Sequence, residues 1–426
     1  MDKPVQIWYN GPNETESAMR PYSRVTITKK NEESIKGGHV WVFRDEITGS
    51  EGPLKDGDLV DVVNSSNRYL GTGFYNSKSV MTVRILSKNS NDLFDEAFWL
   101  RRLTWVIRYR MDTMGPEDFR CCRLIFGEAD QFPGLTVDRY EDVLVVQIVS
   151  LGFELRKETI LSLLIRVLKE EFSVAIRVVY LRNEHKLRVP EGLTQEKGYY
   201  CGEENDREHP GTVEITENGL RYTVDFMNGQ KTGFFLDQKY NRLSIRKICR
   251  GKAVLDCFTH TGSFALNAAA AGATHVTAVD ISEEALRRAR ENAAINGLES
   301  RIEFMQADVF DYLKSMEGRH DSAYDVIILD PPAFTKGHES FRNAFEGYKK
   351  INAQAMRLLR RGSYLVTCSC SNFMSEPNFK MAIHHAAELA HVSLRQIEGR
   401  KQSPDHPILW NVPETDYLKF FLFQVV

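Results

Sequence analysis

The pattern of apolar and polar positions changes twice along the chain. Residues 1–21 show little periodicity and are rich in Asn, Glu, Ser and Pro, which predicts a flexible lead-in. Between residues 22 and 92 the alternation is short. SRVTITKK (23–30) alternates, HVWVF (39–43) follows two glycines, DGDLVDVV (56–63) follows a turn signal, and SVMTVRIL (79–86) closes the set. Period-two runs of this length with Gly- and Asn-containing turns predict a small, all-β barrel. Residues 93–228 are mixed. DEAFWLRRLTWVIRYRMDTM (95–114) and KETILSLLIRVLKEEF (157–172) have helical spacing. LTVDRYEDVLVVQIV (135–149) reads as a hairpin, and VVYLRN (178–183) and VEITENGLRYTVDF (213–226) read as strands. This stretch predicts an α+β middle domain.

From residue 229 to 426 strands and helices take turns. AVLDCF, HVTAVDI, IEFMQAD, YDVIILDPP and SYLVTCSCS read as strands; GSFALNAAAAG, EEALRRARENAAIN and GYKKINAQAMRLLR read as helices. Repeated strand–helix units predict a parallel, doubly wound α/β sheet with helices on both faces.

Composition narrows the class. The 426-residue chain is 42% apolar and 27% charged with a net charge of −3, so it is not a polycation, and nucleic acid would have to meet local patches. No apolar run is long enough to span a bilayer, and the first residues lack a signal core, so a membrane role is not expected. Seven cysteines without a Cys-x-x-Cys pair predict neither a disulfide framework nor a metal site, and a reduced, cytoplasmic setting.

Open α/β sheets bind ligands at the carboxyl ends of their strands. After the first strand comes Asp256-Cys-Phe258-Thr-His-Thr-Gly262-Ser-Phe264, with one glycine and no Gly-x-Gly-x-x-Gly phosphate loop. This favours a cofactor with an amino acid at that place. Asp280 ends the second strand and can accept from ribose hydroxyls, while Ser282 caps the next helix. Asp308 ends the third, with Val309 and Phe310 as apolar neighbours for an adenine. Asp330-Pro331-Pro332 ends the fourth, where the reacting base should lie. Any single acid after a strand is more often a cap or a solvated loop residue, as Asp311 is expected to be. Four after four consecutive strands point to a cofactor.

At these residues the chain resembles class I S-adenosylmethionine methyltransferases, and more closely the PUA-domain family that makes 5-methylcytosine in large-subunit ribosomal RNA. The resemblance runs from about residue 22 to the end. It includes GHVWVF, LGTGFYNSKS, GEADQFPGLTVDRY, QKTGFFLDQKYNR, DCFTHTGSFA, VDIS, DVFDYL, LDPPAF, CSCS and DHP…PETDYLK. It implies a Rossmann-like methyltransferase domain behind a PUA-like barrel. It also implies S-adenosylmethionine as cofactor, with contacts from Lys231, Thr232, Gly233, Phe234, Phe235, Asp237 and Gln238 besides the strand-end residues already named. RNA, ribosomal above all, is the implied partner, and a homodimer is a further expectation. Two departures stand out. Val40 replaces a usual proline, and Cys368 replaces a usual apolar residue.

Carbon 5 of cytosine is a weak nucleophile. A thiolate added to carbon 6 makes it an enamine able to attack a sulfonium methyl. Cys370, in Ser369-Cys370-Ser371, stands at the family's nucleophile position, and Asp330 is its partner at the ring edge. Cys368, two residues earlier on the same face of a strand, competes with it and ranks below it. Related RNA enzymes carry a second cysteine after Asp-Pro-Pro. Here Ala333-Phe334 follows, so the group that removes the carbon-5 proton is unassigned. Cys121, Cys122, Cys201, Cys249 and Cys257 read as buried and inert. For the substrate, Pro331, Pro332 and Phe334 flank the base, while Lys29 and Lys30 in the barrel and Arg101 and Arg102 beyond it are basic contacts for RNA. For each of these cations alone the commoner role is a solvated face. Two rivals remain. A base-nitrogen methyltransferase would use Asp-Pro-Pro-x-Phe without a cysteine, and a non-catalytic RNA-binding or assembly factor would hold the cofactor without turnover.

Overall fold

The computed structural model describes residues 20–200, 209–317, 324–334 and 341–426. The expected lead-in, apart from its last two residues, and Cys201 lie outside them.

The barrel is not all β. Its first alternating run stops at Ile27, and Lys29–Lys36 forms a helix. Thr28 caps this helix by accepting from the Asn31 N–H, and Asn31 and Ile35 face inward. Lys29 and Lys30 therefore sit exposed on a helix rather than on a strand. HVWVF supplies only Trp41–Val42 to the sheet before a single 3-10 turn, Arg44–Glu46. Ser23–Ile27, Ile47–Glu51, Leu59–Val63, Tyr69–Tyr75 and Val83–Ser87 complete a six-stranded sheet around Val25, Ile27, Val42, Val60, Val62, Val83 and Ile85.

The middle region builds a five-stranded sheet from Cys121–Phe126, Leu135–Tyr140, Val143–Ile148, Val178–Asn183 and Glu196–Tyr199. Two helices, Glu96–Met114 and Lys157–Phe172, cover one face through Trp99, Leu103, Ile107, Leu161, Leu164 and Leu168. The hairpin Thr212–Glu217/Leu220–Asp225 does not join this sheet. It forms its own ribbon, and Ile215, Leu220 and Tyr222 share a core with the domain that follows.

Among the described residues that domain has seven strands: β1 (Ala253–Cys257), β2 (His275–Asp280), β3 (Ile302–Gln306), β4 (Val326–Leu329), β5 (Tyr364–Ser369), β6 (Leu394–Arg400) and β7 (Lys419–Val425). Their order is β3-β2-β1-β4-β5-β7-β6, with β7 antiparallel to both neighbours. The first five strands were expected; β6 and β7 were not. Helices α1 (Ser263–Ala270), α2 (Glu283–Ile295), α3 (Val309–Met316), α4 (Phe341–Arg357) and α5 (Glu376–Ala390) cover the faces. The central strands β1, β4 and β5 carry buried runs of Val, Leu and Ile, as a sheet covered on both sides requires, while β3 and the edge strand β6 are largely exposed. The order reverses between β1 and β4, which opens a crevice at their carboxyl ends.

Candidate active site

The loop after β1 has an unusual backbone. Phe258, His260 and Gly262 all adopt positive φ, at 62°, 51° and 82°. Gly262 starts α1, and a Cβ there would lie 3.0 Å from the Ala289 Cβ of α2, so the helices close over a glycine. Positive φ at two non-glycine residues costs free energy and is characteristic of functional loops. Asp256 holds this shape from below. Fully buried, it accepts from the Thr259 hydroxyl at 2.5 Å and the Ala265 N–H at 2.9 Å through one oxygen. Its other oxygen is buried without a partner among the described residues. Burial pushes its carboxyl up to about 7.

The strand-end acids frame the crevice. Asp280 accepts from the His260 and Ser282 N–H groups, both at 2.9 Å, and remains partly exposed. The Ser282 hydroxyl caps α2. Asp308 is exposed and caps α3 by accepting from Phe310 and Asp311. Asp330 ends the set, partly exposed, and accepts from the Gln238 amide at 3.0 Å. Burial first, and then the charge of Asp237, raises Asp330 to about 6, against the pull of Arg242 and the Gln238 hydrogen bond.

The segment 229–238 bridges three parts of the molecule. The Thr232 hydroxyl donates to Asp138 of the middle sheet, whose other partner is Arg123 at 2.7 Å. Gly233 has φ 124°, and a Cβ there would meet Val224 at 2.7 Å. Arg242 binds Glu217 through two nitrogens at 2.7 and 2.8 Å and the Phe235 carbonyl at 2.8 Å. Asp237 accepts from the Tyr417 hydroxyl at 2.5 Å. Burial opposes its charge, yet Lys231, His406, that hydroxyl and Arg123 hold it down to about 2. Lys231 extends over the Phe235 ring, 4.6 Å from its centroid.

Cys370 lies just beyond β5, partly buried. The charges facing it are Lys231, Asp330, Asp237 and Lys419. Its neighbour Ser369 donates to the Tyr348 hydroxyl at 3.0 Å, and the Tyr348 ring supports Phe334 at 4.7 Å. Cys368 is fully buried, and burial lifts its thiol well above the usual range. Pro331 is buried and Pro332 is exposed.

Thr232, Phe234, Asp256, Val309 and Phe264 are all buried in this chain, as Asp237 and Gln238 are. Phe234 and Phe264 lie in one core because helical and loop spacing directs them there. Arg102 lines a cleft together with Arg101 and Trp105 but presents little surface to it. It is buried and donates to the Leu86 and Gln131 carbonyls. Arg110, two turns along the same helix face, is wholly buried in a two-nitrogen pair with Asp130 at 2.7 and 2.6 Å. Arg101 remains exposed, paired with Asp92. Sequence reasoning missed His260, whose ring packs edge-on against Phe235 at 5.2 Å, as well as Tyr417 and Lys419. The only signal for them was their place inside DCFTHTGSFA and PETDYLK.

Five carboxylates around one crevice suit a cofactor carrying a sulfonium and an ammonium. The unpartnered buried oxygens of Asp237 and Asp256 are acceptors in reserve close to it. Fold and site together define a class I, S-adenosylmethionine-dependent methyltransferase. Residues 134–424 match the family described as S-adenosylmethionine-dependent methyltransferase, and residues 25–88 match a PUA-like domain. The chain is 36% identical over 406 residues to ribosomal RNA large subunit methyltransferase I of Klebsiella pneumoniae subsp. pneumoniae, covering 95% of this chain and 99% of that protein. It belongs to that methyltransferase family. Two solved structures share the fold over 94% of this chain and all of theirs at 21% identity. One, assigned as a SAM-dependent methyltransferase from Streptococcus mutans, has a TM-score of 0.77; the other, SMU.776 complexed with SAH, has 0.78.

Proposed function

We propose that this protein methylates carbon 5 of a cytosine in large-subunit ribosomal RNA through a transient bond from Cys370 to the base. The observation that carries this reading is the meeting of Asp330 and Cys370 at the ends of adjacent parallel strands, β4 and β5. The relatives named for ribosomal RNA and the PUA-like match support the substrate.

Bound S-adenosylmethionine supplies an electrophilic methyl on a sulfonium. On this reading Asp280 accepts from the ribose and Asp308 from the adenine amino group, while Asp237 and Lys231 hold the amino-acid end. Asp330, in its neutral form, donates to nitrogen 3 as the Cys370 sulfur adds to carbon 6. At pH 7 a carboxyl at about 6 is roughly one-tenth neutral, and a base that seals the crevice increases that share. A stacked base cannot reach this crevice, so the nucleotide must be flipped or unpaired. A cleft of about 690 Å³ between barrel, middle helix and C-terminal loop is lined by Lys88, Arg101 and Trp105. Trp105 and the nearby Trp410 are 62% and 93% exposed, which suits stacking of unpaired bases.

Mass mapping of ribosomal RNA from cells with and without the protein tests the substrate, with loss of one 5-methylcytosine expected. The Cys370→Ala protein separates this reading from base-nitrogen methylation. Methyl transfer should fall at least about a thousandfold, since the bond-forming group is gone; undiminished transfer would favour attack by a base nitrogen.

A further inference from the structure

We infer that Asn241 and Arg400 make the site select cytosine over uracil, by turning the Gln238 amide so that Asp330 presents a donor to the base. This inference rests on the proposed donation from neutral Asp330 to nitrogen 3.

Asp330 accepts through Oδ1 from the Gln238 Nε2 at 3.0 Å. The Gln238 Oε1 in turn accepts from the Asn241 Nδ2 at 2.7 Å. Asn241 lies in the short helix Lys239–Ser244, and both amides are buried. The Asn241 amide is anchored twice more. Its Nδ2 also donates to the Lys401 carbonyl at 3.2 Å, and its Oδ1 accepts from the Arg400 Nε at 3.2 Å. Arg400 ends β6, with the Glu398 carboxylate 3.6 Å from another of its nitrogens.

A guanidinium only donates, and a backbone carbonyl only accepts. Asn241 therefore has one orientation. The reverse would set N–H against N–H at Arg400 and oxygen against oxygen at Lys401. With the Asn241 nitrogen facing it, Gln238 must offer its oxygen there and its nitrogen to Asp330. The polarity fixed at Arg400 thus reaches Asp330 through two buried amides, where a mismatched pair is most costly.

The oxygen of a neutral carboxyl that accepts is the carbonyl oxygen, because a hydroxyl oxygen is the poorer acceptor. The proton of neutral Asp330 is therefore on Oδ2. Burial and Asp237 raise Asp330 to about 6, while Arg242, the Gln238 bond and Lys231 oppose them. An ionised Asp330 would repel the negative charge that develops in the ring as sulfur adds, so the neutral form is the productive one. Nitrogen 3 of cytosine carries a lone pair, whereas in uracil it carries a hydrogen. An Oδ2–H donates to the first and meets the second donor to donor. A site that leaves the wrong edge unpaired discriminates far better than one that only fits its shape.

The test uses the full-length protein, tritiated S-adenosylmethionine and a ribosomal RNA fragment with cytosine or uracil at the target position. In Asn241→Asp the new carboxylate keeps the Arg400 bond but cannot donate to Gln238. The Gln238 amide then turns its nitrogen to that carboxylate and its oxygen to Asp330, whose proton moves to Oδ1. The ratio of kcat/KM for cytosine to that for uracil should fall at least about tenfold. The added negative charge alone acts in the opposite sense, since it keeps Asp330 neutral with its donor in place and preserves the ratio. A purely structural role for Asn241 would lower both rates together and leave the ratio as it was. An unchanged ratio in Asn241→Asp, shown to be folded by its melting curve and by binding of S-adenosylhomocysteine, overturns the inference. Should that variant not fold, Gln238→Glu decides, because it keeps the Asn241 bond and faces Asp330 with an oxygen; an unchanged ratio there overturns it too. A native protein with no preference for cytosine would instead sink the substrate reading itself, before any variant is compared, and the inference with it.

Discussion

Asp256 shows how one buried carboxyl serves the site at a cost to stability. It shapes the loop after β1 from below, and burial raises its value from that of an exposed aspartate to about 7. A carboxyl whose folded value lies above its unfolded value favours the fold fully below about pH 4. That contribution is lost as pH rises through 7. Asp256→Asn removes the ionisation and keeps one oxygen for Thr259 and Ala265. Its melting temperature should therefore depend less on pH between 4 and 8 than that of the native protein. The difference is on the order of 4 kcal/mol at most. Parallel melting curves would contradict the raised value. Asp330 shares the upward shift for a different purpose, since it remains partly exposed where a base would sit.

At the scale of elements, the segment 229–238 positions the site. Phe235, Asp237 and Gln238 are set by Arg242, Tyr417 and Asn241 respectively. Arg242→Met should cost about 3–5 kcal/mol in denaturant unfolding, because it strands Glu217 as a buried charge. Adding Glu217→Leu should recover much of that loss; failure to recover any would show that Arg242 acts only through Phe235. The parallel strands were legible because continuous apolar runs ended in acids at regular intervals, and Asp280, Asp308, Asp330 and Cys370 lie at the expected strand ends. The helix Lys29–Lys36 was not legible, since its polar surface hid an inward face of two residues, Asn31 and Ile35. The inward turn of Arg102 and Arg110 was equally hidden. Their buried partners, the Leu86 and Gln131 carbonyls and Asp130, are distant in sequence. β6 was missed because LRQIEGR is largely polar and exposed, and β7 because GRKQSPDHPILW separates it from any helix and breaks the strand–helix rhythm.

For the whole molecule, the C-terminal loop joins barrel to catalytic crevice. Asn411 packs so closely on Gly38 that a Cβ there would lie 2.2 Å from its side chain. The Asp405 carboxylate accepts from the Arg123 N–H at 2.8 Å, while Tyr417 reaches Asp237. RNA seated in the adjoining cleft would stack on Trp105 and Trp410. Replacing either by Ala should weaken RNA binding by about 1–3 kcal/mol, the range for one stacked base, and leave S-adenosylhomocysteine affinity unchanged. Equal loss of both affinities would mean that the tryptophans support the fold instead.

The most direct measurement uses ribosomal RNA carrying 5-fluorocytosine, whose fluorine cannot leave carbon 5 as a proton. With S-adenosylmethionine present, the native protein should form a denaturation-stable complex, and peptide mass spectrometry should find the nucleotide on Cys370. A methylated product from natural RNA together with no adduct on Cys370 would contradict the account.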